Sequence, residues 1–226
     1  MKLVENKLLR DKLHVFEDRK EAGKLLASEL KDYKDTDAIV LAIPSGGVPV
    51  AAEIVNALNL SFDLLTVRKI QIPFNPEAGF GAVGPDGEPI FNETVLNGLM
   101  LSEGDIKEQV KKALESVRKR NELFRGNRPL PLLIDRVVII VDDGLASGFT
   151  MLAGINYVKR QRPEEIVVAV PTASERAVLF LLPHVDKLIC LNIRGGPFFA
   201  VADAYRNWYD LSEEEVMEIL RQLSFL

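Results

Sequence analysis

The sequence predicts an open, parallel α/β sheet in one domain of 226 residues. Three observations carry that expectation. Short apolar runs recur, AIVLAI (38–43), RVVIIVDD (136–143), IVVAV (166–170) and KLICLNI (187–193), and a strand apolar on successive residues is one covered on both faces. Between them lie segments whose apolar residues recur at helical spacing. Glycine-rich turns follow two of the runs, Pro44-Ser45-Gly46-Gly47 and Gly144-Leu145-Ala146-Ser147-Gly148, giving the strand, turn, helix order of a parallel sheet.

After a charged lead-in, Ala22, Leu25, Leu26 and Leu30 fall on one helical face over residues 18–31, with Asp18 as its cap. The run at 38–43 breaks at its glycine turn before Val50, Ala51, Ile54, Val55 and Leu58 form the face of a second helix. Residues 62–69, FDLLTVRK, read as the next strand. The richest Pro and Gly content lies at 71–98, where FGAV and EPIFN flank Gly84-Pro85-Asp86-Gly87; this predicts a mobile excursion with a small β-hairpin. Ser102 and Asp105 form a capping box ahead of an apolar stripe (Ile106, Val110, Ala113, Leu114, Val117) on a helix ending near Phe124. A Pro-rich connector leads to the strand at 136–143, then a helix from about Thr150 with Ile155 and Val158 inward. Two further strands, at 166–170 and 187–193, bracket the helical ASERAVLFLL, and Ser212 with Glu215 caps a final amphipathic helix.

Composition narrows the function classes. With 28 Lys+Arg against 33 Asp+Glu, a net charge of −5 and 47% apolar residues, the chain can bury a core and is neither a disordered tail nor a polybasic nucleic-acid clamp. Local amides can still bind a phosphate. Cys190 is the single cysteine, so an intramolecular disulfide is excluded, which fits a reducing compartment. One Cys and two distant His exclude a zinc cluster. No apolar run approaches the roughly 18 residues of a membrane span, and a soluble cytoplasmic protein is expected.

Ligands of open α/β sheets sit at the carboxyl ends of strands, which directs attention to the turns. In VIIVDDGLASGFT (138–150), Asp142 and Asp143 end an apolar strand, and adjacent carboxylates suit two vicinal sugar hydroxyls at about 1.5–3 kcal/mol per charge-assisted bond. Beyond them the backbone of Ala146, Ser147, Gly148, Phe149 and Thr150, the two hydroxyls and the positive helix end make a cradle for a phosphate monoester. Ribose 5-phosphate matches both halves; the bland alternative is an ordinary glycine turn. Ser45, Gly46 and Gly47 form a second, weaker anion site ahead of a helix. The GxGxxG at Gly79–Gly84 is followed by Pro-Asp-Gly rather than a helix, so a dinucleotide site is rejected.

With these residues in place the chain resembles the type I phosphoribosyltransferases, whose hallmark is four apolar residues, two acidic ones and a short phosphate loop. The likeness extends to EAGKLLASEL, PSGGVPVA, VRKI with NPE and GAV, RGNRP, and PFFAVADAY with SEEEV, an order found in a poorly characterised branch of that family. It implies a Rossmann-like core with a flexible β-hairpin loop at about 71–98, and a small hood drawn from the N-terminal residues and 195–226. The activity it implies is transfer of ribosyl 5-phosphate from 5-phosphoribosyl 1-diphosphate to a nitrogen base, with Mg2+, release of pyrophosphate and a homodimeric assembly.

On this resemblance Asp142 and Asp143 match the ribose-hydroxyl pair and reach the metal through water, residues 146–150 match the phosphate loop, and Pro44 to Val48 match the pyrophosphate loop. Ser45 stands where relatives carry a basic residue. That shifts charge stabilisation to Arg68 and Lys69, which without the likeness read equally as a solvated strand end. Asn75 and Glu77 are polar candidates in the lid, with Glu77 a candidate base because the phosphate loop lacks an acid. Phe198, Phe199, Tyr205, Trp208 and Tyr209 either stack an acceptor base or pin the last helix. The competing function is a regulator that binds phosphoribosyl diphosphate without turnover.

Overall fold

The computed structural model describes residues 2–126 and 128–226, without the side chains of Pro76 and Glu77. Six parallel strands form the main sheet: β1 (Lys2–Glu5), β2 (Ile39–Ala42), β3 (Ser61–Leu64), β7 (Val137–Val141), β8 (Glu165–Ser174) and β9 (Lys187–Arg194), in the order β1-β9-β8-β7-β2-β3. Three antiparallel strands, β4 (Arg68–Ile72), β5 (Asn75–Val83) and β6 (Pro89–Phe91), make a separate ribbon. The helices are α1 (Arg19–Glu29), α2 (Gly47–Leu58), α3 (Glu93–Gly98), α4 (Glu103–Arg125), α5 (Phe149–Arg160), α6 (Glu175–Leu181) and α7 (Glu213–Gln222). The open parallel α/β sheet expected from the apolar runs is present.

Those runs are apolar throughout because the sheet is covered twice. Val40, Ala42, Ile139, Val141, Val167 and Ala169 pack with α1, α2 and α7. Their alternating neighbours, among them Leu41, Ile140 and Val168, pack with α5 and α6. Strand period 2 thus divides each run between two cores. Parallel register is continuous across the centre, with Leu41 opposite Ile140 and Ile140 opposite Val168. All strand ends that follow this direction, and therefore the turns after β2 and β7, lie along one edge.

The structure corrects three boundaries. Residues 62–69 are not one strand: β3 ends at Leu64, and Arg68 and Lys69 open β4, paired antiparallel to Val83 and Ala82. A continuous β-rich run cannot reveal that its pairing partner changes. The charged lead-in contains β1, paired with β9; as a short, partly exposed edge strand it needs no apolar run. β8 passes Pro171 to Ser174, because β9 continues beside it and Leu145 bridges Ala173 on the other side.

The hairpin at Gly84–Gly87 is present between β5 and β6. It belongs to a ribbon with its own core, where Ile70, Phe80 and Val83 pack against Ala113 of α4. Both capping boxes form, at Ser102 with Asp105 and Ser212 with Glu215, and Asp18 accepts from the Glu21 amide.

Candidate functional site

The turn after β7 is built to present amides. Leu145 is buried and held twice, its N–H donating to Thr172 O (3.0 Å) and its carbonyl accepting from Ser174 N–H (2.9 Å). Ser174 Oγ donates to Ala146 O at 2.7 Å. With those carbonyls engaged, the N–H groups of Ala146, Ser147, Gly148, Phe149 and Thr150 donate to no other group among the described residues. Gly148 is the N-cap of α5, has φ of 84° and provides no side-chain cap, so the first-turn donors stay open. Only glycine takes that φ without strain, and a Cβ there would also meet Phe180 at 3.1 Å. Five unpartnered amides at a positive helix end are an anion seat. The five residues line a cavity of about 460 Å3 that is also lined by Asp142 and Lys69.

The two aspartates part company. Asp142 lines the cavity and accepts from the Asp143 N–H at 2.8 Å. Asp143 turns inward: its Oδ2 accepts from Arg19 Nε at 2.8 Å, with side chains 8% and 14% exposed for Arg19 and Asp143. Arg19 is further fixed by donation to Tyr209 O (3.0 Å) and by its place over the Trp208 ring, 3.9 Å from the centroid. Tyr205 Oη donates to Asp143 O at 2.6 Å. Burial and the adjacent Asp143 charge push the Asp142 carboxyl well above the ordinary carboxylate range. Burial raises Asp143 too, against the pull of Arg19. Asp142 is thus a carboxyl short of positive charge, open to hydroxyl donors or a cation.

Arg19 escaped the sequence reading because it lies 124 residues from its partner. One signal was available. A cation in the first turn of a helix opposes the helix dipole, and Arg19 is the first residue of α1, so some other demand holds it there.

The loop after β2 lies against this turn. A Cβ on Gly46 would overlap the Asp143 carboxylate, and one on Gly47 would sit 2.6 Å from Val141 O, so both positions require glycine. The Pro44–Ser45 peptide is cis. Gly47 and Val48 spend their N–H groups on Ile43 O and Ser45 O, leaving those of Ser45 and Gly46 without partners among the described residues. The open amides here are two, in place of the longer row expected along Ser45 to Gly47.

Lys69 borders the Asp142 cavity, while Arg68 lies in an adjoining cleft of about 190 Å3 and donates to Ser116 Oγ at 3.0 Å. Arg120 of α4, absent from the sequence expectations, donates to Ser45 Oγ at 3.1 Å. Its signal was positional: Ala113, Val117 and Phe124 are the buried face of α4, and Arg120 fills the missing place in that spacing.

Asn75 accepts from Ala78 N–H, a turn-forming bond, and the Glu77 side chain lies outside the described residues. Tyr205 is 1% exposed against Phe16, and Trp208 packs on Arg19, so these two aromatics fasten the C-terminal segment. Phe199 lies beneath the Arg194 guanidinium, 4.4 Å away, and lines a second cavity of about 850 Å3 that shares Ala146, Ser147 and Phe149 with the turn after β7. Phe198 is exposed, and Tyr209 lies in a separate groove beside α7.

Among the described residues no group of three or more His, Cys, Asp or Glu could cage a metal. With Asp143 committed to Arg19, Asp142 is the carboxylate left at the cavity. That donor set fits a hard cation arriving on substrate oxygens, as Mg2+ does, rather than a resident ion.

A family model described as "Phosphoribosyl transferase domain" matches residues 16–196. A Mycobacterium tuberculosis H37Rv protein named "Putative phosphoribosyl transferase Rv0571c" is 36% identical over 208 residues, 92% of this chain and 47% of that protein. The chain thus spans about half the length of the curated relatives it matches. The crystal structure of TT1426 from Thermus thermophilus superposes with a TM-score of 0.73 at 35% identity, covering 92% of this chain and 98% of that one. The AQ2163 protein of Aquifex aeolicus, at 12% identity and a TM-score of 0.50 over 83% of this chain and 77% of its own, shares the fold. The apolar strand ending in two aspartates, the amide-rich turn behind it and the family match over most of the chain lead to one conclusion: this protein belongs to the phosphoribosyl transferase domain family.

Proposed function

We propose that this domain transfers ribosyl 5-phosphate from 5-phosphoribosyl 1-diphosphate to a nitrogen heterocycle, releasing pyrophosphate. The observation that carries this reading is the row of five unpartnered amides at Ala146–Thr150 beside Asp142 in one cavity. The amides, with the Ser147 and Thr150 hydroxyls, hold the 5-phosphate. Asp142 accepts from a ribose hydroxyl. Asp143, clamped by Arg19, positions that turn and presents its own backbone N–H to Asp142.

Reaction breaks the C1–oxygen bond, with its electron pair leaving on the diphosphate, and the acceptor nitrogen's lone pair forms the new C1–N bond. Positioning and stabilisation of the departing charge are the protein's main contributions. Lys69, which borders the cavity, and Arg68, in the adjoining cleft, are the cations assigned to that charge. Mg2+, when bound to substrate with Asp142 as its protein-side carboxylate, supplies further neutralisation of the diphosphate oxygens. Residues 144–150 contain no acid, and Glu175 of the neighbouring cavity is ion-paired with Arg10. The acceptor therefore either arrives deprotonated or gives its proton to a base from outside the turn, for which Glu77, whose side chain lies outside the described residues, is the candidate. The larger cavity, with Phe199 and Arg194, adjoins the phosphate turn and suits a flat, polar acceptor.

Cytoplasmic location, a homodimer and no nucleic-acid partner complete the proposal. The net charge of −5 supports the last, and no helix among the described residues is long and apolar enough to cross a membrane. The lack of an acid in the turn also favours a second reading, a non-catalytic regulator that senses phosphoribosyl diphosphate. Pyrophosphate release with Mg2+ and a panel of purine and pyrimidine bases separates them: turnover with at least one base, lost in Asp142→Asn, supports the transferase. Donor binding with no release from any base favours the sensor, and no donor binding refutes both.

A further inference from the structure

Beside the loop after β2, the structure gathers two arginines that no carboxylate among the described residues pairs with directly. Arg68 opens the ribbon strand β4 and Arg120 comes from the buried face of α4. Both are half-buried. Their side-chain partners are hydroxyls, Ser116 for Arg68 and Ser45 for Arg120, and neither guanidinium enters an ion pair among the described residues. A hydroxyl uses one of a guanidinium's five N–H donors and cancels none of its charge. Burial, and for Arg68 the facing Arg120, lower both pKa values from the ordinary arginine range; for Arg120 the more distant Glu213 opposes this. Two like charges drawn out of water without a carboxylate are unfavourable for folding alone. A polyanion seated between them would remove that cost.

The loop supplies the rest of such a seat. Ser45 brings no charge, but its N–H and that of Gly46 are open, and Gly46 abuts the Asp143 side of the phosphate turn. An anion held by these two amides would lie beside the guanidinium that already reaches Ser45 Oγ.

We infer that Arg120, with Arg68, forms the cationic wall of the pyrophosphate seat, so that charge for the leaving diphosphate comes across the cleft from α4 rather than from the loop itself. This rests on the phosphoribosyl diphosphate reading above and adds a substrate-binding residue to it. Because α4 also carries Ala113, against which the ribbon packs, diphosphate binding ties the ribbon, the long helix and the sheet edge together through one ligand.

Calorimetric titration with two separate probes, inorganic pyrophosphate and ribose 5-phosphate, tests it in the wild type, Arg120→Gln and Arg120→Lys. Loss of one charge-assisted contact weakens pyrophosphate binding about ten- to a hundredfold. Ribose 5-phosphate affinity stays within about twofold of wild type, because the turn at Ala146–Thr150 holds that group without Arg120. Arg120→Lys keeps the charge and recovers part of the pyrophosphate affinity. The unliganded Arg120→Gln protein is at least as heat-stable as wild type, since the mutation relieves like-charge crowding.

Unchanged pyrophosphate affinity in Arg120→Gln, with ribose 5-phosphate still bound, overturns this inference and leaves the phosphoribosyl reading standing. Equal weakening of both ligands also overturns it, as the mark of a structural role. Pyrophosphate binding that depends on Arg120 in a wild type indifferent to ribose 5-phosphate upholds the anion seat and overturns the phosphoribosyl reading instead.

Discussion

Replacing Arg19 with methionine should destabilise the protein strongly. It keeps most of the apolar stem and removes three interactions: the 2.8 Å bond to Asp143, the 3.0 Å bond to Tyr209 O and the contact with the Trp208 face. At 8% and 14% exposure the ion pair is poorly screened by solvent, and removing one partner from such a pair costs about 3–5 kcal/mol. Methionine packing on the indole offsets part of the lost cation–π contact, itself worth up to about 2 kcal/mol. A net loss of about 4 kcal/mol corresponds to a fall in Tm of roughly 8–16 °C for a chain of this size.

The ion pair is isolated by a double-mutant cycle with Asp143→Asn, which leaves Arg19 on Trp208 while abolishing the carboxylate charge. Urea denaturation of the four proteins, followed by circular dichroism and by fluorescence of Trp208, the one tryptophan, should give a coupling of about 2–3 kcal/mol. A coupling below about 0.5 kcal/mol would mean that the pair is effectively solvated, and that the acidic turn is not anchored through α1.

Gly148→Ala forces a side chain into φ of 84° beside Phe180; the expected cost is about 1–2 kcal/mol, with at least a tenfold loss of ribose 5-phosphate affinity by calorimetry, and an unaltered affinity would show that the turn's shape is irrelevant to binding. Cys190 is fully buried in β9 and its thiol is pushed up by burial; a thiol reagent should leave it unlabelled in the native protein and label it once urea unfolds the chain. Rapid labelling without denaturant would contradict the sheet's coverage.

The fold was legible because its centre is redundant. In β2, β7 and the first half of β8 successive residues alternate between the two cores, and such runs have few other uses. Capping boxes at Ser102 and Ser212 were readable for a related reason: they are local, with partners three positions apart. The change of partner between β3 and β4 was hidden because Leu64, Leu65 and Val67 are all buried on either side of it, so hydropathy does not register the corner.

Legibility of the site followed the same division between local and distant. The amide-rich turn is contiguous and its glycine is informative. The separate fates of Asp142 and Asp143 depend on Arg19, and the charge beside Ser45 depends on Arg120, 75 residues away. Neither pairing leaves a mark in local spacing. Both arginines occupy positions that local rules disfavour, one at a positive helix end and one within an apolar stripe. Such violations are where tertiary or functional demands enter a sequence.

The proposed function seats a sugar phosphate on the backbone between Ala146 and Thr150, with its hydroxyls toward Asp142. Amide chemical-shift mapping during titration with ribose 5-phosphate addresses it directly. The predicted result is that the largest, saturable shifts fall on residues 146–150 and at Asp142, and vanish in Asp142→Asn. Shifts centred elsewhere, or none at millimolar ligand, would contradict it.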